Sequence, residues 1–311
     1  MRPAAAIDCG VGSMFRILVL CGLMFAAACT SVQERQKDVA AEIASGELVG
    51  EELAWKQVEH GRLLLASGDI AGAMADFDAA IATAPTMALA YGSRGDVWRL
   101  RGEVARAVAD YDQAIVLSAA DDPSGYLLRG DTFAGDKQYE KALADYDKAL
   151  ALEATYWPAR VGRGIVLAEL GEDERALEDL KWGMVQPWQW VFLFPRKSPY
   201  SMGAARGTRI EGYRVNATPV VAKGRFTRGK ILLRHGAYEE ALSEFDAALG
   251  RVAQFPGARL YRGLAMLGLG DCADGIAEIR AGGSMANVAF DSIVAEHRAL
   301  IDKTPCAGEI S

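Results

Sequence analysis

Small and apolar residues return along this chain at an interval much longer than a helix turn or a strand pleat. Glycines stand at Gly61, Gly95, Gly130 and Gly164, spaced 34, 35 and 34 residues, and the series resumes with Gly229 and Gly263. Twelve residues after each of the first five stands an alanine: Ala73, Ala107, Ala142, Ala176 and Ala241. Four further on comes a larger apolar side chain (Phe77, Tyr111, Tyr146, Leu180 or Phe245), and three beyond that a small residue (Ala80, Ala114, Ala149, Gly183 or Ala248). Each unit therefore reads as two helices, with small residues where they cross most closely and a large side chain filling the space towards the next pair. Turn glycines fall seven residues after the repeat glycine, at Gly68, Gly102, Gly171, Gly236 and Gly270, and Pro85 and Pro256 mark junctions between pairs.

Six units repeating several positions together resemble the tetratricopeptide repeat family. The resemblance covers residues 54–186 and 222–289 and implies an all-α fold: a right-handed α-solenoid of about six helical hairpins. The last unit departs from the pattern, with Gly275, Ile279 and Gly282 where alanine, an aromatic and alanine are expected. A terminal repeat diverges readily, since one of its faces meets solvent or a cap. Residues 287–302 read as one amphipathic helix, with Val288, Phe290, Ile293, Val294, Ala295 and Leu300 apolar. It opens a capping segment, 290–311, over the last hairpin. Cys272 begins the second helix of that hairpin, and a cap returning antiparallel over roughly 20 Å brings Cys306 close to it. Two readings stay open: a disulfide contributing ~3–4 kcal/mol, or two free thiols.

Ahead of the repeats, Met14-Phe15-Arg16 is followed by uncharged residues from Ile17 to Ala28 and then Cys29. A cation before about a dozen apolar residues fits a signal segment better than a membrane span. Residues 1–28 are read as that signal, with Met14 as a possible true start. The stretch Leu23 to Cys29 resembles a bacterial lipobox, in which the cysteine is acylated and becomes the mature N-terminus. Residues 29–53 would then be a lipid-anchored tether with a short helix. Ala26-Ala27-Ala28 equally forms an ordinary signal-peptidase site, which leaves a soluble periplasmic form as the alternative. By the same resemblance, Thr30 after the cysteine favours the outer membrane, facing the periplasm. With Cys9 and Cys21 in the signal and Cys29 acylated, Cys272 and Cys306 are the two that remain.

Residues 187–221 interrupt the array just before the fifth unit. Prolines at 187, 195, 199 and 219 oppose a regular helix pair there, so an extended segment or a hairpin lying across the solenoid is expected. The interruption is also where charge collects. Between 191 and 234 lie ten cations, including Arg196, Lys197, Arg206, Arg209 and Arg214, against the single acid Glu211. That window carries +9 in a chain of net charge −7, so the remainder carries −16. One reading is a docking surface for anionic lipid, lipopolysaccharide or cell wall, with Trp182, Trp188 and Trp190 upstream. The other is that the aromatics pack on the solenoid and the cations meet acids of neighbouring helices, such as Asp145 and Asp179.

Motifs for catalysis are sparse. Gly224 to Lys230 matches the glycine and lysine spacing of a phosphate loop, yet Ile231 replaces the magnesium-holding hydroxyl and no strand precedes it. His60, His235 and His297 are isolated, and no H-E-x-x-H, C-x-x-C or G-x-S-x-G occurs. No enzyme activity, cofactor, metal or small-molecule substrate is expected, and the acidic balance argues against nucleic acid. The family resemblance implies instead a partner groove on the first helices. Its positions one and four residues after the repeat glycine give Arg62 and Leu65, Asp96 and Arg99, Asp131 and Ala134, Ile165 and Ala168, Lys230 and Leu233, and Leu264 and Leu267. The asparagines and lysines of the family's carboxylate clamp are missing, so the expected partner is a protein segment of mixed polarity in the periplasm or envelope.

Overall fold

In the first, third, fourth and fifth repeats the repeat glycine lies against the large residue sixteen positions on. A Cβ on Gly61 would stand 2.7 Å from Phe77 Cε1, one on Gly130 3.0 Å from Tyr146 Cε1, and one on Gly229 2.5 Å from Phe245 Cε1. The 34-residue pattern is thus a contact pattern, in which one side chain is removed so that a ring from the paired helix can occupy its place. A computed structural model of the chain describes residues 32–183 and 217–310. The proposed signal segment, Cys29, and Arg196, Lys197, Arg206, Arg209 and Arg214 lie outside these.

The described residues form two compact units, the first ending at Arg101 and the second beginning at Gly102. In the first, helix α1 (32–44) precedes α2 (Gly50–Ser67), α3 (Ile70–Thr83) and α4 (Ala88–Leu100). Helix α1 is tied to α2 by Arg35–Glu59 at 2.6 Å and Lys56–Glu42 at 2.5 Å, and Val39 on it is fully buried. The first hairpin begins at Gly50, four residues ahead of the expected edge of the repeats.

The second unit starts with α5 (Val104–Leu117), followed by α6 (Ser124–Gly135) and α7 (Tyr139–Leu152), then α8 (Trp157–Glu169) and α9 (Asp173–Gly183). After residues 184–216 come α10 (Ala217–Arg234) and α11 (Tyr238–Leu249), then α12 (Pro256–Leu269) and α13 (Cys272–Ala286). Helix α10 packs on both α8 and α9, and its Val221 and Ile231 share a buried core with Val161 and Leu180. The stack of hairpins therefore continues directly from the fourth repeat to the fifth. Residues 217–221, expected to be extended, are instead the first turn of α10. Pro219 is its third residue, where a missing N–H leaves no helical bond unmade.

The turn between paired helices has a left-handed residue at Gly68, Gly102, Gly171, Gly236 and Gly270, with φ from +75° to +90°. In the third repeat the same position is Lys137, at φ +59°. The last hairpin replaces ring-into-gap packing by backbone contact. A Cβ on Gly263 would stand 2.6 Å from the Gly275 carbonyl oxygen, and one on Gly282 2.7 Å from the Leu260 nitrogen. Glycine in place of alanine at 275 and 282 lets α12 and α13 cross without side chains between them.

The cap differs from the single helix expected over 287–302. It is broken into α14 (Phe290–Glu296) and α15 (Arg298–Ile301) at His297. Ile293 and Ile301 are both fully buried, whereas a straight helix would hold positions eight apart at about 80° to each other. The bend lets both reach the core and turns the tail back over the last repeat. Cys306 and Cys272 are disulfide-bonded with their Cα atoms 5.3 Å apart.

Candidate partner-binding face

Charges along the repeats divide into those spent on the scaffold and those left to its surface. The residue preceding five of the six repeat glycines is an arginine, and it is the centre of an ion-pair ladder. In the third repeat Arg129 donates through Nε and Nη2 to Asp145, at 2.8 and 2.6 Å, and through Nη1 to Asp112 of the repeat before. Arg163 repeats the arrangement in the fourth, with Asp179 at 2.6 and 2.8 Å and Asp147 at 2.6 Å. Asp145 and Asp179 are each 4% exposed; a bidentate guanidinium is what makes such burial tolerable. Both arginines have their pKa raised, chiefly by these hydrogen bonds.

Other rungs vary the chemistry. In the first unit Arg94 donates to Asp78 at 2.8 Å, and His60 takes the arginine's place beside Asp76, at 2.6 Å. Burial raises the Asp76 pKa, with the His60 hydrogen bond working against it. In the fifth repeat Arg228 and Arg225 share the buried Glu244, at 2.5 and 3.1 Å. In the sixth, Arg262 meets Asp246 at 2.6 Å and Glu278 at 3.5 Å. Of the ten cations between 191 and 234, Arg225, Arg228, Lys230 and Arg234 therefore meet acids of neighbouring helices; Arg234 pairs with Asp173.

Within the first unit Arg62 Nε donates to Ser93 Oγ at 3.2 Å, Leu65 is half-buried, and Arg99 stands 3.7 Å from Asp96. Within the second, the exposed Asp131 accepts from the Tyr146 hydroxyl at 2.7 Å. That contact and burial together push the Tyr146 pKa well up, burial contributing most. Lys230 lies 3.7 Å from Glu169, with Nζ 5.8 and 5.7 Å from the ring centres of Phe226 and Tyr261. Leu233 does not face a partner: it is 1% exposed, inside the core around Phe245, as are Leu264 and Leu267. The position four residues after the repeat glycine points inward in the last three repeats, Ala168 included, because α8, α10 and α12 are covered on that side by the next hairpin and the cap.

Sequence spacing missed the surroundings of Lys230. His297, at the bend of the cap, is set edge-on against Tyr261 with ring centres 5.2 Å apart. Burial lowers the His297 pKa; Lys230 adds to the lowering and Glu296 opposes it. His235 and Arg234 both reach Asp173, the first at 3.0 Å. Nothing in the repeat pattern links residue 297 to residue 230, because the cap falls outside the period. Among the described residues no cluster of His, Cys, Asp and Glu could hold a metal ion, and no helix is long and apolar enough to cross a membrane.

Two family models, each described as a tetratricopeptide repeat, match residues 58–125 with 222–282 and residues 123–156, together more than half of the chain. No curated protein matches by sequence. Among solved structures, the chain resembles one of the Cut9–Hcn1 hetero-tetramer of the APC/C, at 13% identity and a TM-score of 0.67. The match covers 84% of this chain and 45% of that one, so the chain spans less than half the length of that relative. PilW, a type IV pilus biogenesis factor, matches at 16% identity and a TM-score of 0.54 over 83% of this chain and 98% of its own. A tetratricopeptide repeat protein from Parabacteroides merdae ATCC 43184 matches at 15% and 0.50, over 80% and 87%. At these identities the likeness establishes the fold.

Proposed function

Because this chain belongs to the tetratricopeptide repeat family, whose members generally hold other proteins, we propose that it is a non-catalytic adaptor of the bacterial cell envelope. The observation that carries the reading is the placement of unlike charges and rings on first helices whose backbone is fixed by the ladder. Arg62, Asp96 and Arg99 in one unit, and Asp131 and Lys230 in the other, stand at surface positions of first helices. Within each unit, unlike charges at such positions suit an extended or helical protein segment of mixed polarity. Leu65 adds apolar contact; Leu233 adds none.

The envelope location rests on the reading of Cys29 as a lipid anchor at the outer membrane, with periplasmic release after Ala28 as the alternative. The bond between Cys272 and Cys306 supports a compartment outside the reducing cytoplasm. Capture from solubilised envelopes tests the adaptor: reversing Arg62, Arg99 and Asp131 together should abolish recovery of the bound protein while helicity is kept. Unchanged recovery would remove this face from the proposal.

A second reading is favoured by charge. The +9 window in a chain of −7 suits an anionic lipid or glycan bound through Arg196, Lys197, Arg206, Arg209 and Arg214. Its test is flotation with anionic vesicles, where neutralising Arg196, Lys197, Arg206 and Arg209 should release the protein. Persistent flotation of that variant would sink it.

A further inference from the structure

The cap closes one side of the last repeat and opens another. Helix α14 lies on α13 through Ile293, whose side chain reaches Gly283. Away from that contact, Phe290, Val294, Ala295 and Ile310 line an open groove of about 550 Å³. Asp291, in the first turn of α14, and Arg298, just past its end, stand at opposite ends of this groove. Both are exposed, and Asp291 meets no cation among the described residues. Arg298 uses Nε on Asp302, at 2.8 Å, and Nη1 on the Ile310 carbonyl, at 3.1 Å, while its side chain remains 49% exposed.

Asp291, Val294 and Ala295 recur at intervals of three and four and share one face of α14, and Arg298, the first residue past the bend, lines the same groove face. Read along the chain, that face runs acid, apolar, apolar, base. Turned end for end, the same order places base against acid and apolar against apolar. A strip with this symmetry is its own complement about a twofold axis. We propose that this face binds a second copy of the chain, with α14 antiparallel to α14 of the other copy. Val294 and Ala295 meet at the axis, and Asp291 of each copy faces Arg298 of the other. The face of two helical turns is smaller than a standard interface of roughly 800 Å² per partner, so the association is weak and strengthens only with concentration or tethering to one surface.

Sedimentation of the full chain in density-matched detergent tests this up to ~500 µM, a range that reads weak dissociation constants. The parent chain should approach the mass of a dimer. Asp291→Arg and Arg298→Asp should each raise the dissociation constant at least ~10-fold, because like charges then face each other at both ends. An equimolar mixture of the two variants should associate again, since every contact across the axis becomes acid to base. Ala295→Arg, which leaves the contacts of Arg298 with Asp302 and Ile310 in place, should also abolish association, and thermal melting checks that each variant stays folded. A parent chain that remains monomeric, variants that associate as the parent does, or a mixture that fails to recover would each overturn the proposal.

Discussion

At the scale of single residues, the fold spends its charges in pairs of unequal value. Asp179 is 4% exposed and depends on Arg163, whereas Asp147, on the same guanidinium, has a side chain 58% exposed. Replacing Arg163 by Met strands a buried carboxylate and should cost about 3 kcal/mol. Replacing Asp147 by Ala removes a solvated partner and should cost less than about 1 kcal/mol. The midpoint of urea unfolding for the two variants checks the contrast, and Arg163→Met combined with Asp179→Leu should recover most of the loss. Lys137 offers a change of opposite sign. It adopts a left-handed backbone conformation where the other repeats have glycine, and Lys137→Gly should stabilise the chain by up to ~1 kcal/mol by relieving that strain. Much of this level was legible. The arginine before five of the six repeat glycines and the acids of the second helices stand out by spacing alone. What spacing could not show is that one arginine holds acids of two repeats at once, since that contact is made between hairpins and not within one.

At the scale of elements, the hairpins were legible and the cap was only half so. A period of 34 predicts helix pairs because glycine, alanine and a ring at fixed offsets record the same crossing repeated. The cap occurs once, so its apolar pattern had no second copy to fix its geometry. A continuous helix satisfied the pattern over 287–302, yet burying both Ile293 and Ile301 requires the bend at His297. The same singularity hid Pro219 in the first turn of α10, because a proline count reads as loop unless the helix start is known. The bend carries a pH dependence. His297 is half-buried against Tyr261, faces Lys230 across from α10 and has Glu296 beside it, and its pKa is lowered chiefly by burial. The folded cap therefore prefers the neutral ring. Its contribution to stability is complete above the unfolded value of about 6.5 and is lost as the pH falls from there through the lowered folded value. Protection factors of amides in 290–301 should decline between pH 7 and pH 5, and His297→Gln should flatten that decline. A decline unchanged in the variant would assign it to another group.

At the scale of the whole chain, the stack and the interruption are separable on physical grounds. Helix α10 follows α8 and α9 with a shared core of Val161, Leu180, Val221 and Ile231. The connections 84–87, 118–123, 153–156 and 250–255 show how little chain a junction between hairpins needs. Deleting residues 188–212 leaves 184–187 and 213–216 as a connection of comparable length. Shortening the chain between two fixed helix ends by that factor lowers the entropic cost of closing it by about 1 kcal/mol. If the interruption serves a ligand, the deletion should keep the helical signal and raise the unfolding midpoint slightly. Binding to anionic vesicles would then vanish with Arg196, Lys197, Arg206 and Arg209. If instead its tryptophans pack on the repeats, the same deletion exposes the surface they cover and the midpoint must fall. The sign of one denaturation measurement thus separates the two readings that the sequence left open. Partner capture through Arg62, Arg99 and Asp131 should survive the deletion in either case, because those residues stand on α2, α4 and α6, ahead of the interruption.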